Sequence, residues 1–151
     1  MLLKKIRKFI IPIVLGFSIG LGTNLVACMV KVDGISMEPT YKDKDKLVVR
    51  RLGRPSKGDI VVFKRGSKYL IKRVIATPGD SISIEDNKVY VNNKLIYEDY
   101  IKGNTEANLS TKLKESEYFI MGDNRENSLD SRVFGSILEE DIIGIKLLDF
   151  N

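Results

Sequence analysis

Residues 60–80 read Ile60-Val61-Val62-Phe63-Lys64-Arg65-Gly66-Ser67-Lys68-Tyr69-Leu70-Ile71-Lys72-Arg73-Val74-Ile75-Ala76-Thr77-Pro78-Gly79-Asp80. Two runs rich in branched and aromatic side chains, Ile60 to Phe63 and Tyr69 to Ala76, flank Lys64-Arg65-Gly66-Ser67-Lys68, a glycine-containing loop of hairpin length. Pro78-Gly79-Asp80 ends the second run as a turn. The stretch therefore predicts an antiparallel hairpin, and similar runs surround it. Leu47 to Arg51 precedes it. Ser81 to Ile84, Lys88 to Val91 and Leu95 to Tyr97 follow as a meander, separated by Asp86-Asn87 and Asn92-Asn93. Tyr118 to Met121 and Ile142 to Leu148 are the last predicted strands, and the polar, aperiodic residues 99–117 read as a surface excursion. No segment after residue 31 sustains a helical period. Residues 31–151 are thus expected to form one compact, mainly β, antiparallel domain.

Ahead of it lies a different kind of sequence. Phe9 to Val30 is an uncharged run of 22 residues, close to the ~20 that a helix needs to cross the hydrocarbon core. Cleaved secretory signals carry a shorter apolar stretch of ~7–15 residues, so residues 9–30 predict a retained transmembrane signal-anchor helix. Residues 1–8 hold Lys4, Lys5, Arg7 and Lys8. By the positive-inside tendency they stay cytoplasmic, which puts residues 31–151 outside a cell membrane crossed once. Leu25-Val26-Ala27-Cys28 also resembles a lipobox, in which Cys28 would be lipidated. Either reading tethers the domain to the outer face of the lipid bilayer.

The composition limits the chemistry. The 151 residues suffice for one domain with its own core. There is no histidine and a single cysteine, Cys28, so Ser-His-Asp triads, Cys-His pairs, His-ligated zinc and internal disulfides are excluded. No metal or other cofactor is expected. Of 25 basic residues four lie in residues 1–8, and the other 21 face 20 acidic ones. That balance does not make a nucleic-acid footprint. The local run Lys42, Lys44, Lys46, Arg50, Arg51 and Arg54 reads as a solvated or membrane-proximal face.

Three stretches are unusual for plain β structure: Gly34-Ile35-Ser36-Met37-Glu38-Pro39-Thr40, Leu70 to Asp80, and Gly122-Asp123-Asn124-Arg125-Glu126-Asn127-Ser128-Leu129-Asp130-Ser131-Arg132. Taken singly, Ser36 is an ordinary turn residue, Lys72 an ordinary strand lysine, and the third stretch a tight loop of Asx turns. Strand alternation nevertheless puts Leu70, Lys72, Val74 and Ala76 on one face, where apolar neighbours can desolvate an ammonium group. A lysine acting as a base must be neutral. Its pKa of ~10.4 has to fall by about 3 for half of it to be so near pH 7, a difference of about 4 kcal/mol. Burial can supply that, and exposure at Lys64 or Lys68 cannot. Residues 34–38 lack the second glycine of a nucleophile elbow, and no Ser-x-x-Lys occurs. A Ser-Lys dyad assembled from distant positions remains.

From the apolar segment to about Gly144 the chain resembles the bacterial type I signal peptidases of the small Gram-positive kind. Ser36-Met37-x-Pro39-Thr40 is similar to that family's nucleophile motif, and Gly58 to Phe63 to a structural strand. Lys72-Arg73 through Pro78-Gly79-Asp80 is similar to its general-base motif, and Gly122 to Arg132 to its last motif. The resemblance implies a compact β domain of the signal peptidase/LexA-like type. It also implies Ser36 as nucleophile, Lys72 as general base and an acyl-enzyme intermediate. Ser128 is implied to bond and orient the lysine, with Asp123, Arg125, Asp130 and Arg132 in support. Val32, Met37 and Ile71 match positions that line shallow pockets. The implied substrates are the signal peptides of secretory preproteins, cut after a small-x-small pattern. Gly34 stands where one branch places a serine that helps hold the oxyanion. A LexA-like self-cleaving regulator shares the chemistry but carries a DNA-binding domain where this chain has its apolar segment. An anchored, non-enzymatic β domain is the other alternative, and it predicts no turnover.

Overall fold

The computed structural model describes residues 27–150. Eleven strands are present among them: β1 (Ala27–Lys31), β2 (Lys46–Arg50), β3 (Ile60–Arg65), β4 (Lys68–Ala76), β5 (Ser81–Glu85), β6 (Lys88–Val91), β7 (Lys94–Leu95), β8 (Leu109–Lys112), β9 (Glu117–Met121), β10 (Ile137–Leu138) and β11 (Ile142–Phe150). Seven form one antiparallel sheet in the order β1-β2-β11-β3-β4-β9-β10, and four form a second in the order β7-β6-β5-β8. The mainly β expectation holds. Within the described residues the only α-helix is a single turn, Ser131–Phe134.

The opening hairpin is β3–β4, in register from Ile60↔Arg73 to Arg65↔Lys68. The expected five-residue loop closes to Gly66-Ser67, with Gly66 at φ 59°. In the second sheet Asp86-Asn87 and Asn92-Asn93 all sit at positive φ. That is the conformation a two-residue hairpin turn demands and that Asn and Asp tolerate best.

Several expectations are corrected. Residues 27–30, read as the end of a transmembrane helix, are strand: Cys28 pairs with Val49 and Val30 with Leu47. Extended backbone wins there because β2 supplies the hydrogen-bond partners and Cys28 and Val30 pack on the core. The rest of the predicted span, residues 9–26, lies outside the described residues. Among those described, no helix is long and apolar enough to cross a membrane. The excursion 99–117 contains β8, which Ser110, Thr111 and Lys112 kept invisible to a search for apolar alternation. It forms because the edge of β5 offers it backbone partners from Ser81 to Ile84. The predicted strand 95–97 reduces to Lys94–Leu95, and β10 is a two-residue strand on the edge of β9.

Buried side chains form three clusters. Val32, Met37, Leu47, Val49 and Val62 lie on one face of the large sheet. Val61, Phe63, Val74, Tyr118 and Ile120 lie on the other. Ile75, Ala76, Ile82, Ile84 and Phe119 join the two sheets. Leu70 and Val74 flank Lys72 on its face as expected. A register irregularity between Val74 and Ala76 turns Ala76 into the inter-sheet cluster instead.

Candidate active site

The turn after β1 is held from both sides. Val32 N–H donates to the Asp45 carbonyl at 2.8 Å, and Lys44 N–H returns a bond to Val32 O at 2.9 Å. Gly34, at φ 96°, donates its N–H to Asp43 Oδ1 at 2.8 Å. Met37, 1% exposed, anchors the turn in the core. From the opposite side Asn124 donates its backbone N–H to Ser36 O at 3.0 Å and its side-chain amide to Ile35 O at 3.2 Å. The backbone around Ser36 is therefore fixed by the third motif.

Lys72 meets Ser36 across this framework. Its Nζ donates to Ser36 Oγ at 2.7 Å and to Ile71 O at 3.0 Å, and the residue is 3% exposed. Burial lowers its pKa from 10.5 to about 8, against the opposing pull of Asp130 and Asp123 and with help from Arg132. At pH 7 roughly one molecule in ten then carries the neutral amine, against fewer than about one in a thousand for an exposed lysine.

The supporting residues form three ion-paired ties. Asp123 accepts from Arg73 Nε at 2.9 Å and Nη2 at 2.6 Å, and from Thr40 Oγ1. Arg73, which follows Lys72 in the general-base motif, thereby joins β4 to the third motif. Asp130 accepts from Arg132 Nε and Nη2 at 2.9 Å each and from Gly122 N–H at 2.9 Å. Burial alone would raise the Asp130 pKa. The bonds from Arg132 and Gly122 outweigh it and hold the carboxyl below its usual range. Arg125 donates to Gly122 O at 3.0 Å and pairs with Glu98, a residue that the sequence reading did not single out. The expected bond from Ser128 to Lys72 is not formed. The Nζ contacts Ser36 and Ile71, while the buried Ser128 Oγ lies against Gly122, near enough to Asp130 to help hold that carboxyl low, and makes no well-formed hydrogen bond among the described residues.

Gly122 is where these parts touch. A Cβ there would lie 2.2 Å from Ser128 Oγ and 2.6 Å from Ser36 O. Gly122→Ala must displace the serine turn or the motif facing it. We expect a fall of roughly 10- to 100-fold in kcat, the scale of a displacement near 1 Å, measured on folded protein. Wild-type kcat in Gly122→Ala would disprove that contact.

The dyad opens into a cleft of about 100 Å³. Val32, Met37 and Ile71 line it, together with Val30 and Val62. Val30 was missed because it had been placed in a helix. The volume suits small side chains. β4 pairs with β9 only from Arg73 onward, so one edge of residues 68–72 is unpaired among the described residues and can receive an extended peptide. The Ser36 N–H likewise has no acceptor among them, and Gly34 offers no side-chain donor. A larger groove of about 520 Å³ lies between Lys57, Thr77 and Glu139, but it holds no nucleophile–base pair. No cluster of potential metal ligands occurs among the described residues.

The family described as "Signal peptidase, peptidase S26" matches residues 3–150. Signal peptidase I V of Bacillus subtilis is 36% identical over 142 residues, 81% of this chain and 84% of that protein. Signal peptidase I of Bacillus amyloliquefaciens is 33% identical over 141 residues, 83% of this chain and 75% of that protein. The crystal structure of a signal peptidase I from Enterococcus faecalis superposes with a TM-score of 0.57 at 27% identity, covering 62% of this chain and 97% of that one. The match over nearly the whole chain and these relatives show that the chain belongs to the signal peptidase family, peptidase S26, and is a serine peptidase.

Proposed function

We propose that this protein is a membrane-tethered endopeptidase that removes the signal peptides of exported preproteins with a Ser36–Lys72 dyad. The observation that carries the reading is the 2.7 Å contact between Lys72 Nζ and Ser36 Oγ, made by a lysine that burial brings to a pKa of about 8. Neutral Lys72 takes the Ser36 hydroxyl proton as Oγ attacks the scissile carbonyl, and the Ser36 N–H stabilises the oxyanion. The resulting ammonium gives its proton to the departing amine, which leaves an acyl ester on Ser36. Water then attacks the ester, Lys72 accepts its proton, and the ester C–O bond breaks as Lys72 passes that proton to Oγ, which restores the serine hydroxyl and the neutral amine. The small cleft fits small residues before the cut.

The tether fits the same reading. Phe9 to Val26, the uncharged run ahead of β1, is 18 residues long, within the ~17–25 that can span a bilayer. Only Val32, Asp33, Gly34 and Ile35 separate β1 from Ser36, so the site sits close to the point where the chain leaves the membrane. The basic segment 1–8 keeps the N-terminus cytoplasmic.

The test is cleavage of a preprotein by detergent-solubilised, full-length protein as a function of pH. We expect kcat/KM to rise with pH through an apparent pKa near 8, as neutral Lys72 accumulates, and Ser36→Ala to be inactive. Undiminished cleavage by Ser36→Ala would rule the mechanism out.

A further inference from the structure

Residues 98–105 run into the stretch 99–117 that reads as a surface excursion, yet they are bonded to the surroundings of both dyad residues. Lys102 N–H donates to Asp123 O and its carbonyl accepts from Arg125 N–H, both at 2.8 Å, as a parallel bridge alongside Asn124. Thr105 Oγ1 accepts from Arg125 Nη1 at 2.6 Å. The Glu98 carboxylate, 7% exposed, pairs with the buried Arg125 guanidinium. Tyr100 joins the two ion pairs: its hydroxyl donates to Glu98 Oε1 at 2.7 Å, and its ring lies 3.9 Å beneath the Arg73 guanidinium.

We infer that Tyr100 is a positioning residue for the peptidase reaction, acting through Arg73 and Asp123. The inference rests on the Ser36–Lys72 reading. The contacts form a closed ring: Ser36 to Lys72, Lys72 by the chain to Arg73, Arg73 to Asp123, Asp123 to Thr40, and Thr40 by the turn back to Ser36. The distance between nucleophile and base depends on every member of that ring. Arg73 is its most solvent-accessible ion-pair member, at 12% for the side chain against 1% for Asp123. The Tyr100 ring covers the guanidinium on one face. An aromatic face attracts a cation, and covering one keeps water from competing for its carboxylate. Tyr100 in turn is fixed by Glu98, so the excursion serves as a strap across the catalytic loop.

Tyr100→Met keeps apolar bulk and removes the aromatic face, whereas Tyr100→Phe keeps the face and removes the hydroxyl. For Tyr100→Met we expect kcat to fall roughly 3- to 30-fold with KM within about twofold, and for Tyr100→Phe kcat to stay within about twofold. In an Arg73→Gln background, Tyr100→Met should have less than its full effect, because the partner is already gone. Full kcat in Tyr100→Met, equal losses in both variants, or an undiminished effect without Arg73 would each overturn the inference. If Tyr100→Met fails to fold, Tyr100→Phe decides alone: a kcat below about one-fifth of wild type refutes the role of the ring. Full cleavage by Ser36→Ala defeats the dyad reading. Full kcat in Tyr100→Met beside an inactive Ser36→Ala defeats only this inference.

Discussion

Lys72→Met is expected to abolish measurable cleavage and to stabilise the domain. Loss of a general base costs roughly 10²- to 10⁴-fold in rate, and the sulfur of methionine cannot replace the amine. The stability gain follows from the sign of the lysine's shift. Its pKa is about 8 in the folded chain against 10.5 when exposed, so folding disfavours the proton that the unfolded chain binds. Above pH 10.5 both states are neutral and nothing is lost. Between 10.5 and 8 the unfolded state takes up the proton and stability declines, and below 8 the full difference of about 3 kcal/mol is in force. Methionine is nearly isosteric and has no proton to bind. It forfeits the hydrogen bonds to Ser36 and Ile71, worth about 1 kcal/mol each, so a net gain of about 1 kcal/mol is expected at pH 7. Denaturant unfolding of both proteins at pH 7 and pH 10.5 checks this. A difference that does not move toward destabilisation by about 3 kcal/mol between the two pH values would show that burial does not lower the Lys72 pKa.

Such a cost is tolerated because the rest of the domain is locally consistent, and that consistency is what made the fold readable. The β3–β4 hairpin announced itself through branched residues on both sides of Gly66. The meander did so through Asp86-Asn87 and Asn92-Asn93, residues that accept positive φ. β1 was hidden because Ala27 to Val30 continue an apolar run, and apolarity alone does not separate strand from helix. β8 was hidden because backbone pairing, not side-chain burial, holds its polar residues in place. The site divides in the same way. The face of Lys72 followed from alternation within one strand, but its proximity to Ser36 depends on packing between separate elements and came only from family resemblance. Glu98 and Tyr100 lie in an aperiodic segment, and their partners Arg125 and Arg73 are each 27 residues away along the chain. No local pattern encodes those contacts. The bond expected from Ser128 to Lys72 fails for a related reason: motif order fixes which residues gather, not which hydroxyl reaches the amine.

Asp130→Ala is the substitution expected to damage the fold most. Asp130 is fully buried and accepts from Arg132 Nε, Arg132 Nη2, Gly122 N–H and the Arg132 backbone N–H. Alanine strands a guanidinium that is 7% exposed, leaves it only the Arg125 carbonyl at 2.7 Å, and removes the acceptor that caps the Ser131–Phe134 turn. Breaking a buried pair from one side costs about 3–5 kcal/mol, most of it from the charge left behind. Two further results follow if the cost has that origin. The double variant Asp130→Ala/Arg132→Met should recover much of the loss, because no charge remains buried. The acid limb should also change: a carboxyl held below its usual pKa contributes stability above the ordinary carboxylate range and loses it as pH falls through the lowered value. The single variant should therefore lose less stability than wild type between neutral pH and about pH 3. A double variant no more stable than Asp130→Ala would mean that the damage comes from the unpaired Gly122 N–H and the lost cap, and that the ion pair itself contributes little.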